Sequence, residues 1–218
     1  MSSAFSVIFD MDGVLIDSPK YHWQAMRQAL RSYGVNIADN KLHKYIGKPI
    51  ATQIREISDE YDVELDCEKI RDQVAPIKNK LLENIQPKDG VVQLLELLKT
   101  HNIAMAVGTS SYREFTEQKL TEAGIIDYFK LLVTEEDVTE HKPSPKVYLT
   151  AAEQLGATPQ TCVVFEDAPS GIQAAKSAGM ICIAVQTTLS RAEDLKAADM
   201  IVASLREVDY GLIKKLLD

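Results

Sequence analysis

Apolar and polar positions follow two different rhythms along this chain, and the change of rhythm divides it. Phe5, Val7, Ile8 and Phe9 make a short apolar run without proline, which predicts a buried strand. It ends abruptly in Asp10, Asp12 and Gly13. After Ser18 the spacing turns helical: Tyr21, Ala25, Met26, Ala29, Leu30 and Tyr33 fall on one face, and Gly34 stops the run. Ile46, Ile50, Ile54 and Ile57 form a second stripe, interrupted by Gly47 and Pro49. A third helical run covers Glu68 to Glu83, with Pro76 as its start or a kink. No strand pattern occurs between Ser18 and about Ile85.

From Gly90 the rhythm is helix, strand, helix, strand. Helices are predicted over Val91–Lys99, Phe115–Ala123, Pro145–Leu155 and Gly171–Ala178, and from about Tyr210 to the C-terminus. Strands are predicted at Ile103–Val107, Leu131–Val133, Thr161–Phe165, Ile181–Val185 and Met200–Val202. Gly124, Gly156 and Gly179 stop helices. This alternation implies an α/β fold: a three-layer, Rossmann-like core with a mostly parallel sheet and helices on both faces. The core is expected over 1–15 and 87–218, with a small all-helical cap over 16–86 inserted after the first strand. The chain crosses between them at Val14–Ser18 and at Gln86–Gly90, where a hinge is expected.

Parallel sheets bind ligands beyond the carboxyl ends of their strands. Here those ends carry Asp10 and Asp12, then Thr109 and Ser110, then Glu166 and Asp167. Two carboxylates so close cannot both stay ionised in a low-dielectric site without a cation or a shared proton. A hard divalent cation held through oxygens answers that problem, and Gly13 supplies a turn that a side chain would obstruct. Each feature alone has a plainer reading. Asp-x-Asp-Gly also makes a turn, Thr109 also makes a helix cap, Glu166-Asp167 also makes a capped loop, and most lysines like Lys142 lie in solvent. No Gly-x-Gly-x-x-Gly or Walker lysine motif occurs, so neither a dinucleotide site nor a P-loop is indicated.

Composition narrows the partners. A hydrophobic fraction of 45% leaves ample material for a core. The net charge of −8 argues against a non-specific grip on nucleic acid or anionic membrane. An anionic small substrate would need a local positive site. Cys67, Cys162 and Cys182 are too scattered for a disulfide framework. The N-terminus shows no secretory pattern, and no apolar run reaches the roughly 18 residues of a membrane span. A cytoplasmic monomer is the expectation.

Taken as a set, Phe9-Asp10-Met11-Asp12-Gly13-Val14, Thr109-Ser110, Lys142-Pro143 and Phe165-Glu166-Asp167-Ala168-Pro169-Ser170-Gly171-Ile172 resemble the haloacid dehalogenase-like phosphotransferases. The resemblance is to the β-phosphoglucomutase-like branch with a helical cap, and it covers nearly the whole chain. It implies that Asp10 is the nucleophile toward a phosphate monoester, forming an aspartyl-phosphate. It implies Mg²⁺ held by Asp10, the Asp12 carbonyl and Asp167, with Glu166 acting from behind or through water. Asp12 would be general acid and then base. Thr109 and the Ser110 amide would donate to the phosphoryl group, and Lys142 would bridge it to Asp10. His22 stands where the mutases carry a histidine. Trp23, Lys48, Arg55 and Lys78 are candidates for selecting the substrate.

Three activities fit this resemblance: a phosphatase for small phosphorylated metabolites such as sugar phosphates or nucleoside monophosphates, a sugar-phosphate mutase, and a silent binding protein. The mutases show a lysine before the glycine of the second cap helix and an arginine after it. Here Ile46 and Ile50 stand around Gly47, with Lys48 displaced. The silent reading expects a lost site residue, yet Asp10, Asp12, Lys142 and Asp167 are all present. Hydrolysis is the expected reaction.

Overall fold

The computed structural model describes residues 5–45 and 50–218. Ile46, Gly47, Lys48 and Pro49, on which part of the mutase comparison rests, lie outside the described residues. The apolar runs form strands β1 (Ser6–Phe9), β2 (Ala104–Gly108), β3 (Leu131–Val133), β4 (Cys162–Glu166), β5 (Ile181–Val185) and β6 (Met200–Val202). Every pairing between them is parallel, in the order β3-β2-β1-β4-β5-β6. The chain winds outward from β1 through β2 to β3, returns to the far side of β1, and winds outward again through β4, β5 and β6. The direction of winding reverses between β1 and β4, the place where such sheets hold ligands.

The helices are α1 (Ser18–Leu30), α2 (Ile50–Tyr61), α3 (Cys67–Leu81), α4 (Val91–Thr100), α5 (Arg113–Glu122), α6 (Lys146–Leu155), α7 (Pro169–Ser177), α8 (Ala192–Leu195) and α9 (Tyr210–Leu217). On one face of the sheet, Ile8, Ala106, Val164 and Ala184 pack with Val147 and Ala151 of α6 and Ile172 and Ala175 of α7. Alternate strand residues point to the opposite face. There Phe9 stacks on Phe165 with centroids 5.0 Å apart and meets the edge of Phe129 at 6.0 Å. Burial on both faces explains why the strands read as unbroken apolar runs rather than alternating ones. The expected strand Thr161–Phe165 sits one residue later, which makes Glu166 the last residue of β4 rather than the first beyond it.

The described chain divides into two compact units, one comprising residues through Asp17 together with Asn84–Asp218, the other Ser18–Glu83. The second unit is wholly helical. Met26, Leu30, Ile54, Ile57, Ile70 and Val74 are buried there, which accounts for the helical spacing of the apolar positions. The start of α3 is set by Asp66, whose carboxylate accepts from the amides of Glu68 (2.9 Å) and Lys69 (3.2 Å). Pro76 lies inside that helix and does not begin it. Glu60 gathers Lys41 (2.8 Å), Lys44 (3.0 Å) and the Tyr45 hydroxyl (2.8 Å), tying the segment before α2 to its last turn. No described helix is long and apolar enough to cross a membrane.

Candidate active site

Strand register brings the acidic residues together. Phe9 pairs with Val107 of β2 and with Phe165 of β4. One residue on, the Asp10 amide donates to the Phe165 carbonyl at 2.9 Å, so Asp10 leaves the sheet level with Gly108 on one side and Glu166 on the other. Lys142, from the loop before α6, reaches across all three. Its ammonium donates to Asp10 Oδ1 (2.6 Å), Glu166 Oε1 (2.7 Å) and the Gly108 carbonyl (3.2 Å). An ammonium has three N–H donors, and here each has an acceptor. With 8% of its side chain exposed, Lys142 is buried against these acceptors and is not a solvated surface lysine.

Glu166 is equally committed. Its Oε1 accepts from Lys142 and from the Tyr148 hydroxyl (2.8 Å), and its Oε2 from the amides of Asp167 (2.8 Å) and Ala168 (2.9 Å). A carboxylate has about four acceptor positions. Glu166 therefore orients its neighbours and has little left for a direct ligand. The β4–α7 turn depends on Gly171, because a Cβ there would overlap the Glu166 carboxylate. Gly13, at φ +80°, plays the same part for Asp167, whose carboxylate occupies the space a Cβ would fill.

Asp10, Glu166 and Asp167 each turn a carboxylate oxygen into a group lying within 4.8 Å of one another. Burial pushes the Asp10 carboxyl up to about 8; the Lys142 ammonium pulls against that, while Glu166 and Asp12 add to it. Burial also raises Asp167 well above the ordinary carboxylate range, with Glu166 and Asp10 adding and Lys88 opposing. Burial alone would lower Lys142, but Asp10 and Glu166 outweigh it and raise the ammonium. The site is short of positive charge, so without a cation one of its carboxylates holds a proton. An all-oxygen donor set with surplus negative charge fits a hard divalent cation.

The remaining expected residues fall in several places. Asp12 accepts a hydrogen bond from the Ser111 hydroxyl at 2.8 Å. Thr109 is buried. Its hydroxyl oxygen accepts the Ser111 amide at 3.1 Å and does not cap α5, whose N-cap is Tyr112. Ser110 is exposed and precedes α5. His22 lies in the helical unit, its ring 5.5 Å from that of Trp23. Trp23 is itself buried, 5.9 Å from the Tyr45 ring, which makes it a packing residue and not an open selectivity surface. Arg55 is exposed and Lys78 half-buried in the same unit.

Three residues go beyond the sequence reading. Ser111 touches Asp12 and Tyr148 touches Glu166, as described. Lys88 donates to the Gly13 carbonyl from its side chain and to the Leu15 carbonyl from its backbone. Burial lowers the Lys88 ammonium, and Asp167 and Asp17 oppose that. The available signals were weak. Ser111 adjoins an equally plausible serine, Tyr148 falls on an apolar helix stripe, and Lys88 sits in a turn.

Comparison with known proteins agrees with this geometry. Residues 7–185 match the model of a family described as haloacid dehalogenase-like hydrolase. The chain is 34% identical over 207 residues to a validoxylamine A 7'-phosphate phosphatase of Streptomyces hygroscopicus subsp. limoneus, covering 93% of this chain and 95% of that protein. It is 30% identical to a phosphorylated carbohydrates phosphatase of Thermotoga maritima, over 97% of this chain and 99% of the other. Among solved structures, a β-phosphoglucomutase from Clostridium difficile superposes with a TM-score of 0.80 at 27% identity, covering 97% and 96% of the two chains.

Proposed function

This chain belongs to the haloacid dehalogenase-like hydrolases and is a phosphoric monoester hydrolase by class; from that premise we propose a Mg²⁺-dependent phosphatase of small phosphorylated metabolites, sugar phosphates foremost, working through an aspartyl-phosphate on Asp10. The observation that carries this reading is the Lys142 ammonium held between Asp10 (2.6 Å) and Glu166 (2.7 Å) at the reversal point of the sheet. A buried lysine against a carboxylate is an arrangement suited to bringing a phosphate dianion to an anionic nucleophile.

In the proposed mechanism Asp10, the Asp12 carbonyl and Asp167 would hold Mg²⁺. When bound, the ion supplies the charge that lets a carboxylate and a phosphate approach. An Asp10 oxygen forms a bond to phosphorus as the ester P–O bond breaks. Asp12 delivers its proton to the leaving oxygen. Asp12 then takes a proton from water, the water oxygen bonds to phosphorus, and the Asp10–phosphorus bond breaks to release inorganic phosphate. Thr109, Ser110 and Lys142 hold the phosphoryl oxygens through both steps. The helical unit is assigned the role of cap, with His22, Arg55 and Lys78 contributing to substrate selection.

The mutase reading draws support from the structural likeness to a β-phosphoglucomutase; the phosphatase names of the sequence relatives favour hydrolysis. One pair of assays decides. Mg²⁺-dependent release of phosphate from an aryl phosphate and from a panel of sugar phosphates is expected, abolished by chelation. Glucose 1-phosphate is expected to yield phosphate faster than glucose 6-phosphate. Isomerisation outpacing release would overturn the phosphatase in favour of the mutase, and neither product would overturn both.

A further inference from the structure

Tyr148 has a role that packing does not explain. It lies in the first turn of α6, on a face where Val147, Ala151, Ala152 and Leu155 are also buried, and it is wholly inaccessible to solvent. For packing alone a phenylalanine or leucine would serve. A hydroxyl in such a place costs free energy unless it is bonded. Here it donates to Glu166 Oε1 at 2.8 Å, the same oxygen that accepts Lys142 at 2.7 Å. The ring of that tyrosine meanwhile presents its face to the Lys142 ammonium, 4.8 Å from the centroid. On the other side, the ring approaches Gly108 so closely that a Cβ there would stand 3.2 Å from it. Gly108 is also the residue whose carbonyl takes the third Lys142 donor.

We propose that Tyr148 is a positioning residue for phosphoryl transfer: its hydroxyl fixes the Glu166 oxygen that anchors Lys142, and its ring covers the ammonium so that the charge stays against Asp10. A lysine side chain is flexible and strongly hydrated, so an unsupported ammonium would sample several positions and retain water. The ring removes that freedom through a desolvated cation–π contact, and the hydroxyl stops Glu166 from turning away. Tyr148 reaches no reacting atom itself; it acts through Glu166 and Lys142.

The kinetic part of this inference rests on the phosphatase reading, and a second measurement does not. Tyr148→Phe keeps the ring and loses the hydroxyl; Tyr148→Leu loses both. With para-nitrophenyl phosphate, Tyr148→Phe is expected to lower kcat about tenfold, the effect of one buried hydrogen bond, with KM within about twofold because no substrate contact is lost. Tyr148→Leu is expected to lower kcat further. In parallel, reductive methylation of Lys142 is followed by peptide mass spectrometry, with the exposed Lys215 as internal standard. Lys142 should react far more slowly than Lys215 in the unaltered protein, faster in Tyr148→Phe, and faster still in Tyr148→Leu. Unchanged labelling in both variants overturns the proposal whatever kcat does. So does faster labelling with unchanged kcat in an active enzyme, which would leave Tyr148 a structural shield. If the unaltered protein hydrolyses no phosphate ester, the phosphatase reading falls while the labelling still decides the role of Tyr148. If Tyr148→Leu does not fold, Tyr148→Phe decides alone.

Discussion

Asp10→Asn is expected to abolish phosphate release, a loss of roughly 10⁴-fold or more for removal of an enzymic nucleophile, while leaving the protein folded. The amide has the shape of the carboxylate, and its oxygen still accepts from Lys142, whose other acceptors, Glu166 Oε1 and the Gly108 carbonyl, are untouched. The backbone amide of residue 10 continues to bond the Phe165 carbonyl. The substitution also removes one carboxyl from a site where burial, Glu166 and Asp12 all push the Asp10 carboxyl upward. In the absence of divalent cation the variant should therefore unfold at a temperature equal to or above that of the unaltered protein. The stabilisation gained on adding Mg²⁺ should shrink, because under the proposed ligand set a charged oxygen donor has become neutral. Thermal unfolding with and without Mg²⁺, beside a phosphate-release assay, reads both effects. Turnover within tenfold of normal would remove Asp10 from the role of nucleophile. A large fall in the cation-free melting temperature would mean that Asp10 supports the fold as well as the chemistry.

The parts of this protein that were legible in its sequence are those where one physical requirement dominates. Strands covered on both faces must be apolar throughout, so β1, β2, β4 and β5 declared themselves, and the helices between them followed from their spacing and their terminal glycines. Carboxylates at strand ends are costly without compensation, so Asp10, Glu166 and Asp167 stood out before any of them had a neighbour. Lys142 needed the company of the other motifs, because lysines in loops are ordinary. What the sequence hid was the choice between equivalent residues. Ser110 and Ser111 are the same residue type side by side, and only the local turn, with the Ser111 amide on Thr109 Oγ1, directs the second of them to Asp12. Tyr148 was concealed by its own helix, since an aromatic on a buried stripe reads as core. Its hydroxyl becomes informative only when β4, ending one residue later than expected, is seen to hold Glu166 against it.

Gly13 allows the acidic site to be tested without touching any of its functional groups. Gly13→Ala carries two penalties that can be separated. The first is the positive φ of +80°, which costs an L-residue about 1–2 kcal/mol. The second is steric: the new methyl would occupy the volume of the Asp167 carboxylate, whose Oδ1, the farthest of its three end atoms, is 3.0 Å from the built Cβ position. Gly124 provides the control. It has φ +68°, lies in the same compact unit, and has nothing within 4 Å of a built Cβ. Gly124→Ala should thus cost about the same backbone strain and leave turnover unchanged. Gly13→Ala should displace Asp167 from Asp10 and reduce turnover by about 10²-fold or more, the scale expected when a catalytic group is misplaced by an ångström. The Mg²⁺ concentration for half-maximal activity should rise in the same variant, and the Mg²⁺-induced shift in unfolding temperature should diminish, a readout that needs no turnover. A far larger activity loss in Gly13→Ala than in Gly124→Ala, with the two proteins both folded and the stability loss at Gly13 the greater only by its steric part, would show that Gly13 is required to seat Asp167. Full activity in Gly13→Ala would mean that Asp167 can leave its place without consequence, and the cation site would then have to be built from other oxygens.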